Sequence, residues 1–145
     1  MPKQAPLAAR KNIAELTYVG DARGCDRLCY PGGGAYTGMV FEALPSGSLT
    51  AEYEVRDGLR HGADKQYYSE GCPESVAHYR QGFLHGEVVY FYPEGTPKEK
   101  SVFEYDILTE EFQWDEAGNL LHHRAIEATD SSFGLLERRR QEYRW

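Results

Sequence analysis

Two glycine series run through this chain in phase. Gly34, Gly58 and Gly82 stand 24 residues apart, and Gly38, Gly62 and Gly86 each follow four residues behind. Gly47, Gly71 and Gly95 keep the same step, and Gly118 comes after a step of 23. A fixed period of this size means stacked supersecondary units, none able to bury its apolar surface alone. Glycines at fixed points supply the positive φ of hairpin turns. Eleven tyrosines beside fifteen glycines favour strands and tight turns over helices.

Each unit reads as strand, turn, strand, turn. The units run from Gly38 to Arg60, Gly62 to Leu84 and Gly86 to about Leu108. A partial fourth, Glu110 to His122, lacks the opening glycine. First strands are expected at Met39–Leu44, Ala63–Tyr68, Glu87–Tyr92 and Glu111–Asp115. In the second strands, Tyr53, Val55, Ala77, Tyr79, Ser101 and Phe103 alternate with Glu52, Glu54, Arg56, Val76, His78, Arg80, Lys100, Val102 and Glu104. Period-two alternation assigns the first set to a buried face and the second mostly to water.

The flanks differ. Residues 1–12 read as a frayed arm or short helix, and Ile13–Val19 and Arg27–Tyr30 as strands. Beyond residue 124 the glycine spacing is lost. Asp130 or Ser131 is placed to cap a helix running to about Tyr143, with Phe133, Leu136, Arg140 and Tyr143 on one side. Lying over the last hairpin, that helix would hide an open sheet edge. The fold class is mainly all-β: a single-layer twisted antiparallel sheet of tandem 24-residue hairpins with a short C-terminal capping helix. The hairpin domain spans residues 1–124, with the clearest repeats in 34–121, and the cap spans 125–145.

The formal charge of -7 is uneven. Residues 36–121 hold sixteen Asp/Glu against six Lys/Arg. Such a surface disfavours nucleic acid and anionic lipid and favours a basic protein partner, or simply keeps a sheet soluble. Cys25, Cys29 and Cys72 match no metal spacing and read as reduced thiols of a cytoplasmic protein. The N-terminus has no apolar run long enough for a signal peptide or membrane span.

Gly58-Leu-Arg-His-Gly62 and Gly82-Phe-Leu-His-Gly86, with Tyr36-Thr-Gly38 before them, resemble the Gly-x-x-His-Gly signature of MORN-type repeats. Over residues 27–121 the pattern is similar to the MORN-variant repeats of the YwqK-like antitoxin family of bacteria. That resemblance implies a row of β-hairpins in one extended sheet and a non-catalytic immunity or antitoxin role against a toxin. A general MORN scaffold for proteins or membrane surfaces is the alternative. The last unit departs from the signature at Asp106-Ile-Leu-Thr-Glu110.

No catalytic residue is assigned, and the chain reads as a non-enzyme without cofactor or metal. His61 and His85 sit two strands apart, about 9–10 Å between backbones, too far for the ~2 Å bonds of one zinc ion. They read as parts of the glycine turns. His122-His123 with Asp115 and Glu116 fixes no acid–base geometry, and Gly32-Gly-Gly34 lacks the lysine and helix of a phosphate loop. Glu42, Gln66, Tyr68, Tyr90, Tyr92 and Trp114 fall together in register as a patch of tyrosine and acid. That patch is either a partner-binding face or an internal ladder under the tail helix. The expected partner is a basic toxin domain.

Overall fold

The computed structural model describes residues 10–22, 24, 26–69 and 71–145. The repeat region forms one continuous antiparallel meander. Its strands are β5 (Gly38–Ala43), β6 (Leu49–Arg56), β7 (Leu59–Ser69), β8 (Cys72–Arg80), β9 (Phe83–Phe91), β10 (Pro97–Glu104), β11 (Ile107–Trp114) and β12 (Leu120–Ala125), each paired with the next. Strand β1 (Arg10–Asn12) adds a parallel ninth strand beside β5. A separate three-stranded sheet comprises β2 (Thr17–Gly20), β3 (Asp26–Tyr30) and β4 (Gly33–Ala35). The only α-helix among the described residues is α1 (Phe133–Tyr143).

Two kinds of turn alternate along the meander. At Asp57-Gly58, Gln81-Gly82 and Tyr105-Asp106, two-residue turns have positive φ at both positions: 51° and 81°, 49° and 85°, 50° and 67°. Two successive positive φ values define the turn whose twist matches paired strands. At the other end, longer loops join β5 to β6, β9 to β10 and β11 to β12, where the N–H of Leu44 donates to Ser48, Tyr92 to Thr96 and Asp115 to Asn119.

Several expectations need correction. Residues 10–12 form a strand, not an arm or helix, while residues 1–9 lie outside those described. Ile13–Val19 is broken by a 3-10 turn at Ile13–Glu15. There the Asn12 side chain accepts from the Ala14 N–H, and the Glu15 carboxylate accepts from the Asn12 N–H. Those reciprocal bonds outcompete extension. The sheet is not one layer throughout. Over β5 and β6 the small sheet closes a core of Leu28, Tyr36, Val40, Ala51, Tyr53 and Val55, with Ile13 and Leu16 packed against it. Glu52, expected in water, is 4% exposed and pairs with Arg10 of β1. A buried carboxylate demands such a partner.

The helix also lies elsewhere than the open edge. Leu136, Tyr143 and Trp145 pack with Tyr105, Ile107, Phe83 and Ile126, and Arg140 pairs with Glu104. Helix α1 therefore caps the Tyr105-Asp106 turn. Every residue of the terminal strand β12 remains exposed.

Candidate partner-binding surface

The two-residue turns are joints fastened to the preceding unit. Their second N–H donates to a carbonyl one unit back: Gly58 to Tyr36 at 2.8 Å, Gly82 to Arg60 at 2.9 Å, Asp106 to Leu84 at 2.9 Å. Their first N–H meets a side-chain acceptor: Asp57 to Thr37 Oγ1 at 2.8 Å, Gln81 to His61 Nδ1 at 3.5 Å, Tyr105 to His85 Nδ1 at 3.2 Å. Thr37, His61 and His85 are themselves 24 residues apart. Both imidazoles thus accept a backbone N–H at this position. Burial under the aromatic cluster lowers the pKa of His85, because the charged ring would lose hydration.

The glycines divide by place. Gly58 and Gly82 are second residues of joints; Gly62 and Gly86 lie inside β7 and β9, near register shifts in their pairing with β6 and β8. A Cβ at Gly62 would meet Glu54 Oε2 at 2.6 Å. Gly38 opens β5 and makes room for the Tyr36 hydroxyl, which donates to the Met39 carbonyl. Gly34 lies within β4 of the small sheet, not in a joint like that of Gly58.

Strand register sorts the tyrosine–acid residues. Glu42 opposes Ala51, Ala51 opposes Gln66, Gln66 opposes Ser75, and Ser75 opposes Tyr90. The row continues through Glu99 and Gln113 to His122. Directly opposed residues share a face, so Glu42, Gln66 and Tyr90 belong to one row. Tyr90 is 45% exposed, and Gln113 and His122 are exposed. His122 Nε2 lies 3.0 Å from the Glu111 carboxylate.

Trp114 does not join that row. Its ring stacks on Phe112, with centroids 5.7 Å apart, and Phe112 opposes His123. The opposite face carries this stack, and Gln113 takes the place expected for Trp114. The register shift at Val102/Phe103 leaves one extra residue on β11, where the equivalent shifts leave two on β7 and β9; the step of 23 to Gly118 is its signal in the sequence. Tyr68 and Tyr92 have committed hydroxyls. Tyr68 donates to the Phe91 carbonyl and Tyr92 to the Trp114 carbonyl, each across to the next unit. Ser75, Glu99, Gln113 and His122 were missed because only the pairing register places them in the row.

Tyr53 is buried on the same face of β6 as Ala51, beside the row. Tyr53 lies under the Arg60 guanidinium, 3.5 Å from ring centroid to Cζ, and burial raises its pKa. Arg60 also pairs with buried Asp64, which accepts from Gln66 Nε2 at 2.8 Å. Gln66 is thereby held in place by its own strand. Among the described residues no cluster of His, Cys, Asp and Glu could hold a metal ion. No helix of the described residues is long and apolar enough to cross a membrane. Cys29 is a buried free thiol and Cys72 an exposed one, while Cys25 lies outside the described residues.

No protein-family model matches the chain. Over 111 residues it is 40% identical to "Immunity protein YwqK" of Bacillus subtilis (strain 168), covering 77% of this chain and 72% of that protein.

Proposed function

The chain belongs to the YwqK immunity-protein family, and from that premise we propose that it is an immunity protein that neutralises a toxin by binding it without catalysis. The relationship to YwqK carries this reading. The meander presents a row of acidic, amide and aromatic side chains on a sheet tied together at its joints. A pre-ordered surface loses little conformational entropy on binding. Tyr90 and Gln113 offer contact area and hydrogen-bonding groups, while the acidity of residues 36–121 suits a basic toxin surface. Occlusion of the toxin's active site is the proposed mechanism. The joints are read as those of MORN-variant repeats, and the free thiols suit a cytoplasmic site of action.

Co-expression with the product of the neighbouring gene tests the reading. The expected outcome is that this chain restores growth to cells making that product and co-purifies with it. A harmless neighbour, or toxicity that persists beside abundant folded chain, would overturn the assignment.

A further inference from the structure

The three joints are equivalent in the repeat but not in their surroundings. At the first, the Gly58 carbonyl accepts from the Leu28 N–H at 2.9 Å, beneath β3. At the third, the Tyr105 carbonyl accepts from the Arg139 guanidinium of α1, whose Cζ lies 5.4 Å from the centroid of the Phe83 ring. At the middle joint Gln81 and Gly82 are exposed, and no donor from the described residues reaches either carbonyl. The small sheet and the helix, the two departures from the repeat, thus complete the outer joints and leave the middle one open.

That opening is a groove of about 870 Å³, with Gln81, Gly82, Phe83 and His61 in its lining. Asp26 of β3 and Tyr143 of α1 belong to the same lining. Among the described residues, four aspartates, Asp21, Asp26, Asp57 and Asp106, line it against two arginines, Arg27 and Arg56, a formal excess of two negative charges. Arg27 is engaged by Asp21 and Asp57, each at 3.1 Å.

We propose that this groove is a socket for an arginine side chain of the protein partner, whose guanidinium donates to the carbonyls of Gln81-Gly82 as Arg139 donates to that of Tyr105. A planar fork of five donors can reach two neighbouring carbonyls and lie against an aromatic ring, which a compact ammonium does less well. The surrounding carboxylates draw in the positive charge and disfavour an anionic side chain. The inference deepens the immunity reading and rests on it for the identity of the partner.

The experiment is an NMR titration of the folded chain with acetyl-Gly-Arg-Gly-amide, set against its neutral citrulline isostere. The expected result is a saturable shift of the amides of Gln81, Gly82 and Phe83, with the citrulline peptide bound roughly fivefold more weakly. Asp26→Lys should abolish those shifts with the melting temperature within about 2 °C, and Arg56→Gln should tighten binding. Absent shifts at millimolar peptide, equal binding of the citrulline peptide, or shifts unchanged by Asp26→Lys would each overturn the socket. Growth rescue is scored separately. A negative titration with intact rescue removes the socket alone, and failed rescue with a positive titration removes the immunity reading alone.

Discussion

The joint end and the loop end of the hairpins use the same residue for different purposes. At the loop end, Gly47, Gly71, Gly95 and Gly118 have positive φ and nothing within 4 Å of where a Cβ would stand. They relieve backbone strain and no more. At the first joint, Gly58 has positive φ and a Cβ site 2.8 Å from the Arg27 Cβ and 3.1 Å from the Leu28 carbonyl oxygen. There the glycine permits a turn and also a contact with a second element. Backbone bonds from one unit to the next converge on the joints, whereas at the loop end the backbone closes on itself and the Tyr68 and Tyr92 hydroxyls make the bridge to the next unit. A repeat sheet can therefore be rigid along one margin and tolerant along the other.

The largest test of this contrast substitutes one glycine from each end. Gly58→Ala combines left-handed strain with a clash against backbone and should cost about 3 kcal/mol. Gly95→Ala meets open space and should cost only the strain, about 1 kcal/mol. Urea denaturation of both variants measures the gap, and equal losses would break the comparison.

Next is His85→Ala. It removes the acceptor for the Tyr105 N–H and ring contacts at 4.8 Å to Tyr105 and 4.7 Å to Trp145. A loss of about 2 kcal/mol is expected from these terms. Tyr92→Phe should cost about 1 kcal/mol, because it deletes the bond to the Trp114 carbonyl. Tyr90→Phe has no such bond in the structure and should leave the urea midpoint nearly unchanged.

The smallest effect is with pH. Burial lowers the pKa of His85 in the folded state, against about 6.5 for an unfolded chain. The unfolded state therefore binds the proton more readily. The contribution from keeping this ring neutral is complete above about pH 6.5 and is lost as pH falls toward the folded value. The stability gap between wild type and His85→Ala should narrow from pH 7.5 to pH 5.5. A constant gap would show that the imidazole does not hold the joint in its neutral form.

The hairpin architecture is legible because positive φ at a regular step favours glycine, and because alternate tyrosines and valines mark strand faces. The joint bonds are not. His61 and His85 meet N–H groups twenty residues later, and Thr37 does the same with no resemblance to histidine except an acceptor atom. The burial of Glu52 depends on Arg10, 42 residues away on a parallel strand too short and polar to read from periodicity. The helix was visible by spacing, but its seat was not. Phe83 and Tyr105 attract it to the joint end, whereas an open edge alone suggested β12. A step of 24 from Tyr90 points to Trp114, whereas the step of 23 from Gly95 to Gly118 marks this unit as one residue shorter and selects Gln113.

The joints form the frame, and the proposed recognition lies on the row through Tyr90 and Gln113. Its most direct test is a binding isotherm between the purified product of the neighbouring gene and the Tyr90→Ala/Gln113→Ala variant, with melting curves recorded in parallel. The expected result is at least a roughly tenfold loss of affinity, as for removal of a central aromatic contact, with the melting temperature within about 2 °C of wild type. Unchanged affinity in a folded variant would contradict it.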